Sequence, residues 1–367
     1  MLKVKEFIRS YIPRWTVAAF VALALSLCLY LFSCLFSSFA DVLNGSISLL
    51  LRFSFATVSG IAPFSLFELC LVLSLPLVVL AVVLALKHGK DRRRRARVIF
   101  SLLGVIALIF CLYLLMLAVG YRTTPLAEKM ELDERAEISE SELYTLTKTV
   151  RDEINRLEEQ IEFLEGESRM GFGLDELSHK LSVGYGKVNE KYPFIKDYYS
   201  RVKPVVLSSV MSDMGIMGIY GFFTGEANVN ISYPDYTLPY TAAHEMAHQR
   251  GVSRENEANF VAFLVCVECD DPYIKYSGYL NLYEYLASAL YRTDREAYFE
   301  LLSGLAENAL EDLRASAKIT ESHKDSLINK IMDKMNDTYL KANGTEGTVS
   351  YSYVVRLAAA YYREKIN

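Results

Sequence analysis

Five histidines occur in 367 residues, and two of them stand four apart in the run His244-Glu245-Met246-Ala247-His248. Residues four apart share one helix face, so both imidazoles can reach a single ion. Zinc accepts neutral imidazoles at about 2.0–2.1 Å and tolerates a tetrahedral site. Glu245 follows the first histidine and can take a proton from metal-activated water as that water attacks a carbonyl. The competing explanation is an amphipathic helix whose polar face happens to hold two histidines, the known false positive of so short a motif.

A catalytic zinc usually has three protein ligands and one open position. The other histidines are His88, His179 and His323, and His88 falls in a stretch expected in the cytoplasm. The nearest acidic candidates are Glu255 and Glu257. Gly251 can end the first helix and allow a sharp reversal. Ser253 can then cap a second helix, from Arg254 to about Cys269, with Glu255 in its first turn. Asn259, four residues on, shares that face and is placed to support a ligand histidine through a hydrogen bond. Glu257 points about 160–200° away on a helix of 3.6 residues per turn, so Glu255 is the favoured third ligand. A carboxylate at a helix N-terminus is also favoured by the macrodipole, and both roles can hold together.

These residues need elements to position them. A helix is expected from near Thr241 to about Arg250, after a loop bracketed by Pro234 and Pro239. Before it, Val202 to Ser232 has strand character, and Ala227 to Ser232 alternates polar and apolar. The piece from Thr224 to Ser232 reads either as a strand lining a cleft, where a peptide adds by strand pairing, or as an ordinary core or edge strand. A long helix is predicted from Ser139 to Glu165. Ser139 and Glu142 form a capping box at its start, Leu143, Leu146, Val150, Ile154, Leu157, Ile161 and Leu164 form its stripe, and Gly166 ends it. After Pro272 the chain reads as helical, interrupted at Asn343 to Gly347. The fold class is mainly α with a small β-sheet.

The first third differs in kind. Three runs suit a bilayer, which needs roughly 20 apolar residues: Trp15 to Phe39, Phe64 to Leu86 and Val98 to Val119. The stretch Ser46 to Ile61, apolar but for Arg52, reads as a re-entrant or interfacial helix or as an irregular outer loop. Lys3, Lys5, Arg9 and Arg14 before the first run, and the basic loop Lys87 to Arg97, both belong on the cytoplasmic side. That places the N-terminus inside and everything after Val119 outside. Glu68 fits a capping box with Ser65 after Pro63 at the membrane edge. The expected organisation is a membrane domain with three transmembrane helices at 1–120 and an extracytoplasmic domain at 121–367.

Other features narrow the reading. A net charge of −5 argues against nucleic acid as a partner. Cys266 and Cys269 lack a second ligand pair and read as packed core thiols. A hydrolase of this type also needs a donor to the developing oxyanion, for which Tyr276, Tyr279 and Tyr351 are candidates among 25 tyrosines.

The pattern His244-Glu-x-x-His248 followed by Glu255-x-x-x-Asn259 resembles that of the gluzincins, H-E-x-x-H with a later E-x-x-x-D. The resemblance implies zinc on His244, His248 and Glu255, with Asn259 in place of the orienting aspartate. Only six residues separate His248 from Glu255, far fewer than in most gluzincins. A metzincin would carry its third histidine at position 254, which is Arg254 here, and a guanidinium cannot ligate.

A broader set of motifs covers most of the chain: Tyr121-Arg-Thr-Thr-Pro-Leu126, Phe223-Thr-Gly-Glu226-Ala-Asn-Val229, Leu238-Pro-Tyr-Thr-Ala-Ala-His244, Glu255-Asn-Glu-Ala-Asn-Phe260, Tyr276-Ser-Gly-Tyr279 and Ser350-Tyr351. In content and order they resemble the bacterial membrane family catalogued as domain of unknown function 3810. That resemblance implies a zincin-like extracytoplasmic metallopeptidase domain behind three membrane helices. The expectation is a multi-pass membrane zinc peptidase, acting on a peptide or protein substrate outside the cytoplasm and in contact with membrane lipid. The alternatives are a zinc-binding membrane sensor or interaction protein, and a metal-free scaffold.

Overall fold

The computed structural model describes residues 10–87, 91–134, 136–324, 327–345 and 353–366. Lys3, Lys5, Arg9, His88, Ser350 and Tyr351 lie outside these residues.

The apolar third forms α1 (Arg14–Leu35), α2 (Ser37–Gly45), α3 (Ile47–Ser59), α4 (Leu66–Lys87) and α5 (Arg92–Met116), followed by a 3-10 turn, Ala118–Arg122. Four helical stretches are long and apolar enough to cross a membrane: Arg14–Leu35, Ser37–Ser59, Leu66–Lys87 and Arg92–Arg122. Three match the runs read from sequence. The fourth contains the stretch from Ser46, which is helical rather than irregular. It is broken at Ser46, with φ −122° and ψ −93°, into pieces of 9 and 13 residues. At 1.5 Å per residue these measure about 14 and 20 Å, each short of a hydrocarbon core of about 30 Å. Arg52, in the middle of α3, is buried and donates to Asn44 O at 2.7 Å and Met116 O at 3.5 Å. The bent pair thus folds against protein, whereas the aliphatic side chains of α4 from Leu71 to Val83 are exposed all round.

The remainder forms α6 (Leu126–Lys129), α7 (Glu140–Glu158), β1 (Phe163–Leu164), β2 (Glu167–Ser168), α8 (Leu174–Lys191), β3 (Val202–Pro204), α9 (Ser208–Asp213), β4 (Gly218–Gly221) and β5 (Glu226–Val229). Then come α10 (Thr237–Gln249), α11 (Glu255–Glu268), α12 (Pro272–Thr293), α13 (Arg295–Ser303), α14 (Glu307–Lys324), α15 (Leu327–Ala342) and α16 (Tyr353–Ile366). Ser139 caps α7 by accepting from Glu142 N at 3.2 Å, and the Glu142 carboxylate accepts from the Ser139 backbone N–H, which closes the predicted capping box, while also pairing with Arg363. The helix stops at Glu158, earlier than its apolar stripe predicts. Glu165 (φ 55°) and Gly166 (φ 91°) make a two-residue turn in left-handed conformation, which pairs β1 with β2 as a hairpin.

The core centres on α11, buried from Glu257 to Cys266 and packed against α8, α10, α12 and α16. Cys266 and Cys269 are free and buried within it. Beside α10 lies a three-stranded sheet in the order β3-β5-β4, with β3 parallel and β4 antiparallel to β5. The strand proposed to line a cleft, within Thr224 to Ser232, is therefore the central one. Paired on both sides, it has no edge for an added peptide, and β4 forms the free edge next to α10.

The sheet is fastened to the apolar helices by a buried polar cluster. Lys203 Nζ donates to Glu226 at 3.0 Å, Ser59 O at 2.9 Å and Phe64 O at 2.9 Å. Glu226 in turn accepts from the first backbone N–H groups of α4, Leu66 at 3.1 Å and Phe67 at 2.6 Å. The pair is 1% exposed on both sides, so its desolvation is offset only because each charge is fully partnered. Ser65 Oγ accepts from Glu68 N at 3.0 Å, as a cap should, and donates to Asn228 at 2.7 Å. The Glu68 carboxylate does not close the box. It accepts from Val206 N and Leu207 N at 2.9 and 2.7 Å and so fixes the start of α9.

Candidate metal centre

α10 begins at Thr237, earlier than expected, because Pro239 is accommodated in its first turn, where a proline costs no helical hydrogen bond. Ser277 of α12 secures that turn, accepting from Tyr240 N at 3.1 Å and donating to Tyr236 O. At the far end Gly251 adopts φ 93°, and its N–H and that of Val252 bond back to His248 O and Ala247 O. A Cβ on Gly251 would collide with Arg52 and Asn44, and Asn44 Nδ2 donates to Gly251 O at 3.0 Å. The reversal is thus docked on α2 and α3. Ser253 does not cap α11. Its hydroxyl donates to Leu117 O at 2.8 Å, and the N-cap position falls to Arg254, which offers no side-chain cap.

The reversal brings Glu255 back onto the two histidines. His244 Nε2 and His248 Nε2 lie 3.0 Å apart, Glu255 Oε2 is 3.2 Å from the former and Glu255 Oε1 is 3.6 Å from the latter. Among the described residues these three form the one group of His, Cys, Asp and Glu that could hold a metal ion. Tetrahedral ligands at about 2.05 Å from a zinc ion are separated by roughly 3.3 Å, in the middle of this range. His248 Nδ1 lies 2.8 Å from Val252 O, which holds the proton there and leaves Nε2 for a metal. Burial opposes charge on both His248 and Glu255, yet their mutual attraction prevails. His248 is pushed up to about 9, and Glu255 is held below the usual carboxylate range. Donor set, spacing and electrostatics all favour positive charge at the centre of the cluster. The side chains of His244 and Glu255 remain 13% and 16% exposed, so one side of the cluster is open.

Glu245 is buried against β4. A Cβ on Gly218 would overlap its carboxylate, and the Tyr220 backbone N–H donates to it. Burial raises its pKa, while His244 and His248 act against that rise.

Two other predicted residues do different work. Glu257 faces away from the cluster, accepting from Leu126 N at 2.8 Å and pairing with Arg254 at 3.0 Å. Arg254 also donates to Tyr121 O and Thr123 O at 3.0 and 2.6 Å, so this pair anchors the segment leaving the last apolar helix. Asn259 is buried, but its Nδ2 and His244 Nδ1 both lack a hydrogen-bond partner, so the expected support of a ligand histidine is not formed.

The comparison with known families fits this framework. The model of the family described as protein of unknown function DUF3810 matches residues 44–359. The chain belongs to that family. No curated protein and no solved structure matches it. The DUF3810 match takes in the His244–His248–Glu255 cluster together with α3, α4 and α5, so apolar helices and cluster belong to one family unit.

Of the tyrosines chosen from sequence as oxyanion donors, Tyr351 lies outside the described residues, and Tyr276 and Tyr279 are engaged elsewhere. Tyr276 donates to Asp312 at 2.8 Å inside the core, and Tyr279 packs on Phe263. Instead Tyr121, after α5, and Tyr339, on α15, face each other with rings 6.1 Å apart, both within the electrostatic reach of Glu255. Sequence reasoning missed them, although Tyr121 opens the quoted Tyr121–Leu126 motif. Tyr339 lies on a remote helix with no local pattern to mark it.

Proposed function

We propose that this DUF3810 protein is a membrane-anchored zinc-dependent peptidase whose catalytic domain lies outside the cytoplasm. The observation that carries the proposal is the convergence of His244, His248 and Glu255, open on one side, with Glu245 beside them. A bound zinc ion would polarise a substrate carbonyl and make a water molecule acidic near neutral pH. Glu245 would then take the proton of the attacking water. Its buried carboxylate, steered by the Tyr220 N–H and confined by Gly218, is made a stronger base by burial. Tyr121 and Tyr339 would supply hydroxyl donors for the developing oxyanion. The basic residues at 87–97 support the orientation, since short loops rich in Lys and Arg stay in the cytoplasm, and the bent α2–α3 pair supports a re-entrant rather than a spanning role.

Replacing Glu245 by Gln tests the assignment. The variant should bind zinc as the native protein does and lose peptide hydrolysis by about 10²–10⁴-fold. Hydrolysis undiminished in Glu245→Gln would show that another group takes the proton. Undiminished cellular function in that variant, with hydrolysis gone, would point to the sensor reading.

A further inference from the structure

The amphipathic helix α15 has three distinct stripes. At about 100° per residue, Asn329, Met332, Tyr339, Leu340 and Asn343 fall on the side that meets the rest of the protein. Lys330, Lys334 and Lys341 fall on the opposite side, with Asp333 and Asp337 between them and the inner side. Between them runs an apolar stripe, Ile328, Ile331 and Met335, exposed by 50%, 49% and 58%. An exposed stripe at such spacing on a lysine-bearing helix is the signature of a helix that lies in a membrane interface.

Both ends of α15 are tied to elements at the ends of the apolar helices. At its C-terminal end, Tyr113 of α5 donates to Asn343 at 3.1 Å, and Gly344 sits against Arg122, which bonds Tyr30 of α1 at 3.0 Å. At its N-terminal end, Asn329 lies against Gly215, just past α9. The start of α9 is held in turn by Glu68, in the first turn of α4. The segment leading into α9 and its first turn also expose apolar side chains: Val206 by 80%, Leu207 by 46% and Val210 by 45%. A helix of 16 residues, about 24 Å long, thus bridges the ends of α1 and α5 to that of α4. Those ends mark where the bilayer stops.

We propose that α15 lies flat in the membrane interface, with Ile328, Ile331 and Met335 at the acyl boundary, and forms the membrane-side wall of the metal cleft. The occupant of the stripe is lipid, because the helix is tied at both ends to helices whose own exposed apolar side chains require lipid. Tyr339, on the inner stripe beside the apolar one, packs edge-on against Tyr121, and both rings are near enough to Glu255 to feel its charge, so the helix borders the cluster on the flank where its apolar stripe begins. The cleft would then admit a peptide lying at the membrane surface. The placement of α15 rests on the membrane reading and not on hydrolysis.

Trp15 is the sole tryptophan, which allows a direct test. The full chain carrying Trp15→Phe and Ile331→Trp is reconstituted in nanodiscs of phosphatidylcholine and phosphatidylglycerol, with and without bromine on the acyl chains. Brominated lipid should quench the emission at least roughly twofold, as for a side chain at the headgroup–acyl boundary. Met335→Trp in the same background should behave alike, and Lys334→Trp should be unaffected. No quenching at either apolar position, equal quenching at all three, or blue-shifted emission without quenching would overturn the proposal, the last because protein rather than lipid would cover the stripe. The readout requires neither zinc nor activity, so its failure is distinct from failure of the metal reading.

Discussion

Glu255 and Glu257 stand two residues apart in the first turn of α11 and serve different ends. Glu255 meets the histidines, whereas Glu257 holds Leu126 N and Arg254. Their roles separate by experiment. Glu255→Ala should weaken zinc binding by at least about tenfold, since it removes one of three protein ligands. Glu257→Ala should leave zinc binding nearly intact and destabilise the protein by about 1–3 kcal/mol, the cost of an unpaired buried N–H and a lone arginine. Isothermal titration with zinc and thermal unfolding of both variants check this, and the opposite pattern would transfer the ligand role to Glu257. This division was legible in the sequence, because helix periodicity alone sends the two carboxylates to opposite faces. The fate of Asn259 was not legible. Its spacing puts it on the ligand face, but a hydrogen bond depends on side-chain rotation that periodicity does not specify.

At the scale of elements, the reversal at Gly251 was readable from its residue type, and the lower end of α7 was not. A stripe that continues past a helix end looks the same in sequence as one that stays helical, and the turn at Glu165–Gly166 decides the matter. Also unreadable was the fastening of the sheet to the apolar helices, because Lys203, Glu226 and Ser59 are distant in sequence. Removing one member of a buried, fully partnered pair costs about 3–5 kcal/mol. Glu226→Gln should therefore be strongly destabilising, and adding Lys203→Met should recover part of the loss. A double-mutant cycle on unfolding in detergent micelles should give a coupling above about 1 kcal/mol. Additive losses would mean that the two residues do not act as one fastening.

Across the whole molecule, the His244–His248–Glu255 cluster and the apolar helices form a single unit. The turn behind His248 rests on Asn44 and Arg52, Ser253 bonds the end of the last apolar helix, and Glu68 and Glu226 tie the sheet side to α4. The apolar helices thus do more than precede the cluster in sequence. They set the geometry of the reversal that presents Glu255. The most direct test is the zinc content of the purified full chain after loading and dialysis, beside that of His248→Ala. About one equivalent is expected on the native protein and almost none on the variant, as for a site with three protein ligands. Less than about a tenth of an equivalent on the native protein, or equal zinc on both, would contradict the account.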